Sequence, residues 1–455
     1  MNAKLFENAG GCLGYRITRR QAIGKALAGA AGLWLADSLP IRTWAAAPSA
    51  KKAGTARSVI QIWMWGGPSH IDTFDPKPEA GRNYCGDLLK PIETNVSGIR
   101  ISELFPLLAR QADKYSIIRS MTHGNNAHET ASYMVQTGRK AGEHIVYPCA
   151  GAVVSLFKGA EGGVKGQLPS YVVLTEPQGR FDEAGFLGTK YKPFATGGDP
   201  SQPRFMVEGI IADGISDAQQ RSRRALLDKL NTLENLLPDN AAMKALAKSE
   251  DQAYDMILGD GGKVFDLSTE KEELRERYGK NKFGQSCLMA RRLVEEGVPY
   301  ITINYPGWDT HKGNFTTMRR KLPELDKGMA TLIQDLSERG LLETTVVWWG
   351  GEFGRTPKVD FAAPWNGGRG HWGKVFSSVV AGGGFKGGHV VGSSDSRGEE
   401  VHDRPVYPGD LIASIYDRLG IDSSAKLPHP EGLDVRVSPT PAEGVPSGGR
   451  LKEIV

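Results

Sequence analysis

The sequence predicts an α/β protein: a doubly wound, mostly parallel sheet with helices on both faces. Three observations predict it. Short apolar runs rich in β-branched and aromatic residues, closed by Gly or Pro, recur along the chain. Stretches with apolar residues at i, i+3 and i+4 lie between them. Clusters of His, Asp, Glu and Arg follow directly after the apolar runs, where open α/β sheets gather their ligands.

The chain opens on a different pattern. Thr18-Arg19-Arg20-Gln21-Ala22-Ile23 precedes an apolar, glycine-rich run from Ala26 to Leu35, and Ala45-Ala46-Ala47 follows. A charged start, a short apolar middle and a small-residue exit read as a secretory leader over residues 1–47. The paired arginines point to the twin-arginine route, which carries proteins already folded. The run is shorter than the ~20 residues of a spanning helix. The mature protein is therefore expected in the periplasm or secreted, with no transmembrane anchor once the leader is cleaved. The leader holds six basic and two acidic groups, so it accounts for the whole formal charge of +4. Removing its 47 residues from 455 leaves 408 that are neutral overall. No nucleic-acid partner is expected from such a balance. Outside the leader only Cys85, Cys149 and Cys287 remain, with neither disulfide nor zinc-site spacing, and they read as packing residues.

One domain, residues 48–435, is expected to follow. Val59 to Trp65, ended by Gly66-Gly67-Pro68, reads as its first strand. Tyr171 to Leu174, Tyr300 to Asn304, Thr345 to Trp349 and Ser378 to Ala381 read as further buried strands. From Met318, residues Leu322, Leu325, Met329, Leu332, Ile333 and Leu336 mark a helix with one buried face. A charged helical stretch makes an insertion at about 215–280, its charge read as a solvated face. Gly382 to Gly388 has no helix pattern behind it and reads as a hairpin turn, not a phosphate loop. Residues 436–455, rich in Pro, Gly and Ser, read as a flexible tail.

Four segments carry candidate chemistry. Gly66 to Lys77 delivers His70, Asp72 and Asp75 behind a glycine turn; the plainer reading is that the aspartates cap backbone N–H groups. His123 to Thr130 crowds two His and one Glu at the start of a helix, where the dipole favours an anion or an attacking oxygen; Asn126 or Thr130 as a simple cap is the alternative. In Trp308-Asp309-Thr310-His311 the i, i+2 spacing of extended chain lets Asp309 and His311 converge on one cation. Carboxylate plus imidazole suits Zn²⁺ or Mn²⁺, with Ca²⁺ or Mg²⁺ as other divalent choices. In Gly351-Glu352-Phe353-Gly354-Arg355-Thr356-Pro357 and Arg369-Gly370-His371-Trp372, Glu352 and His371 could ligate metal. Arg355 offers a planar fork for phosphate or sulfate oxygens. A Glu–Arg ion pair across the turn is the plainer alternative.

Together with the leader and Ile117-Ile118-Arg119-Ser120-Met121-Thr122-His123, these segments resemble a bacterial family of exported proteins of unknown function. That family is placed in the alkaline phosphatase-like, often sulfatase-like, superfamily. The resemblance implies a metal-dependent hydrolase of phosphate or sulfate esters acting on a small-molecule or glycan ester in the cell envelope. The alternative it leaves is a non-catalytic relative that binds a glycan or an envelope partner. By order along the chain it implies Asp309, His311, Glu352 and His371 as metal ligands. Gly66-Gly67 stands where the first strand of the superfamily delivers an aspartate, so Asp72 or His70 is expected to substitute. Thr137-Gly138-Arg139 resembles the end of the nucleophile helix in sulfatases, which offers Arg139 for substrate. Counting back from it, the nucleophile register falls at His128, with Thr130 the nearest hydroxyl. Attack is expected from Thr130 or from a water activated at the metal.

Overall fold

A computed structural model of the chain describes residues 54–141, 145–159, 168–176, 183–202 and 260–455, with isolated positions between 205 and 226. The expected leader, and most of the expected helical insertion, lie outside the described residues.

The core is one eight-stranded sheet. Its strands are β1 (Ser58–Trp63), β2 (Tyr115–Met121), β3 (Tyr171–Leu174), β4 (Phe194–Ala195), β5 (Tyr300–Asn304), β6 (Thr345–Gly350), β7 (Phe376–Ala381) and β8 (His389–Val391). They lie in the order β8-β2-β7-β6-β1-β5-β3-β4. All run parallel except β7, which is antiparallel to both β2 and β6. Every residue of β1, β3, β5 and β6 is buried, which is why these strands read as mostly apolar runs. The polar residue inside β1 is satisfied within the core: Gln61 donates to Gln136 and accepts from Thr302, both at 3.2 Å.

Strand β2 has no such run. Ser116, Arg119 and Ser120 interrupt it, and each donates to a main-chain carbonyl, of Lys386, Phe74 and Arg404 respectively. The glycine run 382–388 is a turn but not a hairpin, because β7 and β8 flank β2 on opposite sides. Glycine is needed there: a Cβ on Gly387 would lie 2.1 Å from the carbonyl oxygen of Asp113, just before β2.

Helices cover both faces. On one, α3 (Lys282–Glu295) and α4 (Asn314–Glu338) pack with Ile60 and Ile62. On the other, α1 (His128–Thr137), α2 (Ala150–Lys158) and α5 (Pro408–Leu419) pack with Val59 and Trp63. Strand alternation sends neighbouring residues of β1 to opposite cores. Helix α4 begins four residues before Met318, after Gly313 at φ 56°. Cys85, Cys149 and Cys287 are buried free thiols.

The expected flexible tail is corrected. Within residues 436–455, Leu451 and Ile454 are fully buried and Val437 nearly so. The Leu451 N–H donates to Ser414 of α5 at 2.9 Å. Apolar residues spaced among the prolines and glycines give this segment a seat on the α5 face. Among the described residues no helix is long and apolar enough to cross a membrane.

Candidate metal centre

Parallel strands end on one edge of the sheet, and β7, running the other way, begins there. Asp309 arrives from the loop after β5, Glu352 from the loop after β6, and His128 from the start of α1 after β2. His371 arrives just ahead of β7, on a short ladder in which His371–Trp372 pairs with Gly354–Arg355. The reversed strand therefore brings a late residue back to the rim that the parallel strands share.

Asp309 is the hub. Its Oδ2 lies 3.4 Å from His128 Nε2, and its Oδ1 lies 3.2 Å from His371 Nε2 and 3.1 Å from His311 Nε2. The donor atoms of His128, Asp309 and His371 all fall within 4.8 Å of one another. Ligands about 2.1 Å from a tetrahedral ion stand ~3.4 Å apart. The two Asp309–imidazole separations, 3.4 and 3.2 Å, are close to that value. The rings pack as a group: His371 lies 4.3 Å from His128 and 4.5 Å from His311, centroid to centroid, and stacks on Phe353 at 4.6 Å.

What surrounds the histidines fixes which nitrogen faces Asp309. His128 Nδ1 is 2.7 Å from Glu352 Oε1, and His371 Nδ1 is 2.8 Å from the carbonyl of Asn126. Each partner can only accept, so each Nδ1 donates. In the neutral rings both Nε2 atoms then carry lone pairs aimed at a carboxylate. His311 Nε2 and His371 Nε2 stand 2.8 Å apart, a further meeting of basic nitrogens. Three acceptors pointed at one place are relieved by a cation, and the acceptor behind each imidazole is the usual support of a metal-binding histidine. The donor set fits a divalent ion. In the free protein, the hydrogen bond to Glu352 raises His128 above the ordinary imidazole range against partial burial. Burial opposes the charge on Asp309. The Arg355 guanidinium, aided by His371 and His311, nonetheless holds its carboxyl down to about 2.

The glycine turn after β1 holds the frame. Gly66 and Gly67 sit at φ 108° and 71°, and a Cβ on Gly66 would lie 2.3 Å from the Asp309 backbone nitrogen. No side chain fits there. The Gly66 N–H donates to Glu352 Oε1 at 2.9 Å, and the carbonyls of Gly66 and Gly67 accept from Arg355. The turn supplies no ligand and instead locks the two residues behind the ligands.

The other expected residues go elsewhere. Glu352 is buried, and its Oε1 accepts from His128 and from the Gly66 N–H, which places this oxygen behind His128. Arg355 is also buried, donating to Gly66, Gly67, the carbonyl of Arg369 and Asp309, with no face left for an anion. Asp72 is sealed inside by both nitrogens of an Arg369 fork at 2.9 Å and by Asn314 at 2.8 Å. His70 is buried against the carbonyl of Gly398 at 2.8 Å. Arg139 donates to Glu443 and to the carbonyls of Arg436 and Val437, tying down the C-terminal segment. Thr130 is half-buried in the first turn of α1. It stands ~200° around the helix from His128, so the two do not share a face. Asn126 and Arg369 matter more than the sequence indicated. Asn126 also accepts Gly373 N–H on its side chain at 2.6 Å, which fixes its carbonyl under His371.

Glu352→Gln tests this support. It keeps an acceptor for Gly66 and His128 but removes the charge that makes His128 basic. Metal affinity is expected to fall ~10- to 100-fold, measured by competition with a chelating dye. An unchanged dissociation constant would show that Glu352 has no hold on the site.

Fold and rim together define the class: an α/β protein with a His-Asp-His cluster at the carboxyl edge of a parallel sheet. The chain belongs to the DUF1501 family, described as a protein of unknown function, whose profile matches residues 56–446. No match to a curated protein was found. Among solved structures, it is similar to the lipoteichoic acid synthase LtaP from Listeria monocytogenes at 9% identity and TM-score 0.38, covering 85% of this chain and 75% of that one. The PsFucS1 sulfatase from Pseudoalteromonas sp. gives 12% and 0.36, with 95% and 77% covered. Alkaline phosphatase from the Antarctic bacterium TAB5 gives 10% and 0.36, with 80% and 98% covered. Likeness this loose says nothing of chemistry, which has to come from the site's own atoms.

Proposed function

We propose that the chain is a metal-dependent hydrolase of phosphate or sulfate esters working in the cell envelope, with Zn²⁺ or Mn²⁺ as its ion. One observation supports this above the others: two imidazole Nε2 atoms and the Asp309 carboxylate converge at a rim open to solvent, each imidazole backed by an acceptor. Three protein ligands with an accessible side is the arrangement of catalytic rather than structural metal.

A divalent ion there would polarise an ester oxygen and stabilise the charge that builds on it. The chain's own groups do the rest. Glu352 and the Asn126 carbonyl keep His128 and His371 in one tautomer. Arg355 keeps Asp309 ionised. His311, at the exposed side of the cluster, either completes the ligand set or passes a proton to the departing oxygen. The second reading, a non-catalytic relative that binds a glycan or an envelope partner, draws on Thr130, which shares no face of α1 with His128.

Metal analysis of the purified protein, followed by a panel of aryl phosphates and aryl sulfates, separates the two. Bound metal with turnover of either ester class supports the hydrolase. Bound metal with no turnover supports the second reading, and a protein that takes up no metal overturns the hydrolase.

The envelope assignment rests on the leader. Changing Arg19 and Arg20 to Lys is expected to hold the protein in the cytoplasm, because the twin-arginine route reads guanidinium and not charge alone. Fractionation that finds the double variant exported as before would remove this assignment.

A further inference from the structure

Beside the cluster stands a tryptophan that the fold does not use. Trp365 is 39% exposed, and its ring lies 6.5 Å from that of His311. Large aromatic side chains bury most of their surface when they serve the core. This one sits on a loop pinned at several points. The Trp365 N–H donates to Ala362 at 2.8 Å, and its carbonyl accepts from Gly313 at 3.0 Å. Gly367 accepts from Asn314 at 3.2 Å and donates to Asp360 at 2.8 Å. The loop is thus laced along the segment that carries Asp309 and His311, and the ring is held out at the rim. Lys312, exposed, brings its ammonium to 5.9 Å from the ring centroid.

A fixed aromatic face next to a cation, both bordering the cluster, matches one kind of molecule. It carries an anionic ester for the cluster and an apolar ring face for the tryptophan. We infer that Trp365 is a stacking platform that selects esters of cyclic alcohols, sugar or aryl, over acyclic ones. Lys312 offsets negative charge near the ring. This rests on the metal-hydrolase reading and adds the substrate class to it.

The stack forms equally in the bound substrate and in the transition state, so it acts on KM and leaves kcat alone. Base–aromatic stacks set the scale, at roughly tenfold or more in affinity. The experiment uses the metal-loaded full chain with phenyl phosphate, glucose 6-phosphate and glycerol 3-phosphate, and the sulfate counterparts. Trp365→Ala is expected to raise KM about tenfold for ring esters, leave glycerol esters unchanged and spare kcat, with Trp365→Phe restoring most of the loss. An effect on phenyl but not glucose esters assigns an aryl ring, and the reverse assigns a sugar. Equal loss on the glycerol esters, or no loss on either ring ester, overturns the proposal. If the wild type binds metal but turns over none of these esters, the hydrolase reading fails by itself. Calorimetric Kd values for the same phosphate and sulfate esters then carry the same contrast: a ring-selective loss in Trp365→Ala sustains the platform, and its absence overturns it.

Discussion

Asp309→Asn is expected to empty the metal centre and abolish ester hydrolysis while the protein stays folded. Asp309 lies within reach of His128, His311 and His371 together. Asparagine keeps one oxygen but not the charge, and a loss of roughly 100-fold or more in metal affinity follows from removing an anionic ligand, exceeding the effect of its supports. The fold should tolerate the change. Asp309 is 45% exposed on a loop, and Arg355 keeps its three carbonyl partners without it. Metal content by atomic emission, read beside a thermal melt, checks both halves. Stoichiometric metal in the variant would mean that the cluster is not the binding site.

Arg369→Met is expected to do the opposite, damaging the fold before the chemistry. Arg369 and Asp72 are each wholly buried, and the guanidinium also donates to the carbonyls of Thr356, Pro357 and Tyr84. Removing one partner leaves an uncompensated charge inside, at a cost of about 3–5 kcal/mol. The combined variant Arg369→Met with Asp72→Asn should recover part of that loss, because the stranded charge is gone. Urea denaturation followed by tryptophan fluorescence compares the two variants with the wild type. A single variant that unfolds at the wild-type midpoint would show the pair to be dispensable.

These two residues mark where the sequence could and could not be read. The buried strands were legible because β1, β3, β5 and β6 are mostly apolar, a pattern set by burial on both faces. Strand β2 was not, because its polar positions are satisfied by carbonyls of Phe74, Lys386 and Arg404, far away in the chain. At the site, the sequence pointed to loops that the fold brings to one rim, since polar clusters behind strand ends are a local feature. It could not tell which side chain turns outward. Asp72 and Asp309 both follow a strand in similar company, yet one meets Arg369 inside the protein and the other faces the rim. That choice is made by residues 297 and 62 positions away. The inward turn of Glu352 and Arg355 was hidden for the same reason: their partners are main-chain atoms of Gly66 and Gly67, which no residue pattern announces. Trp365 left no signal, because exposure is a property of the folded loop.

The place of β1 at the middle of the sheet has a consequence for how the chain is made. Its neighbours β5 and β6 are both distant in sequence; Gln61 meets Thr302 across 241 residues. At ~5–20 residues per second of synthesis, a central strand written first waits roughly tens of seconds for either partner. Throughout that wait both edges of Ser58–Trp63 are unpaired, in a six-residue, mostly apolar segment without charge or proline, the kind that seeds intermolecular pairing. High contact order makes the closing step slow as well. The nascent chain therefore has a long window of aggregation risk, and a holding chaperone is the natural remedy.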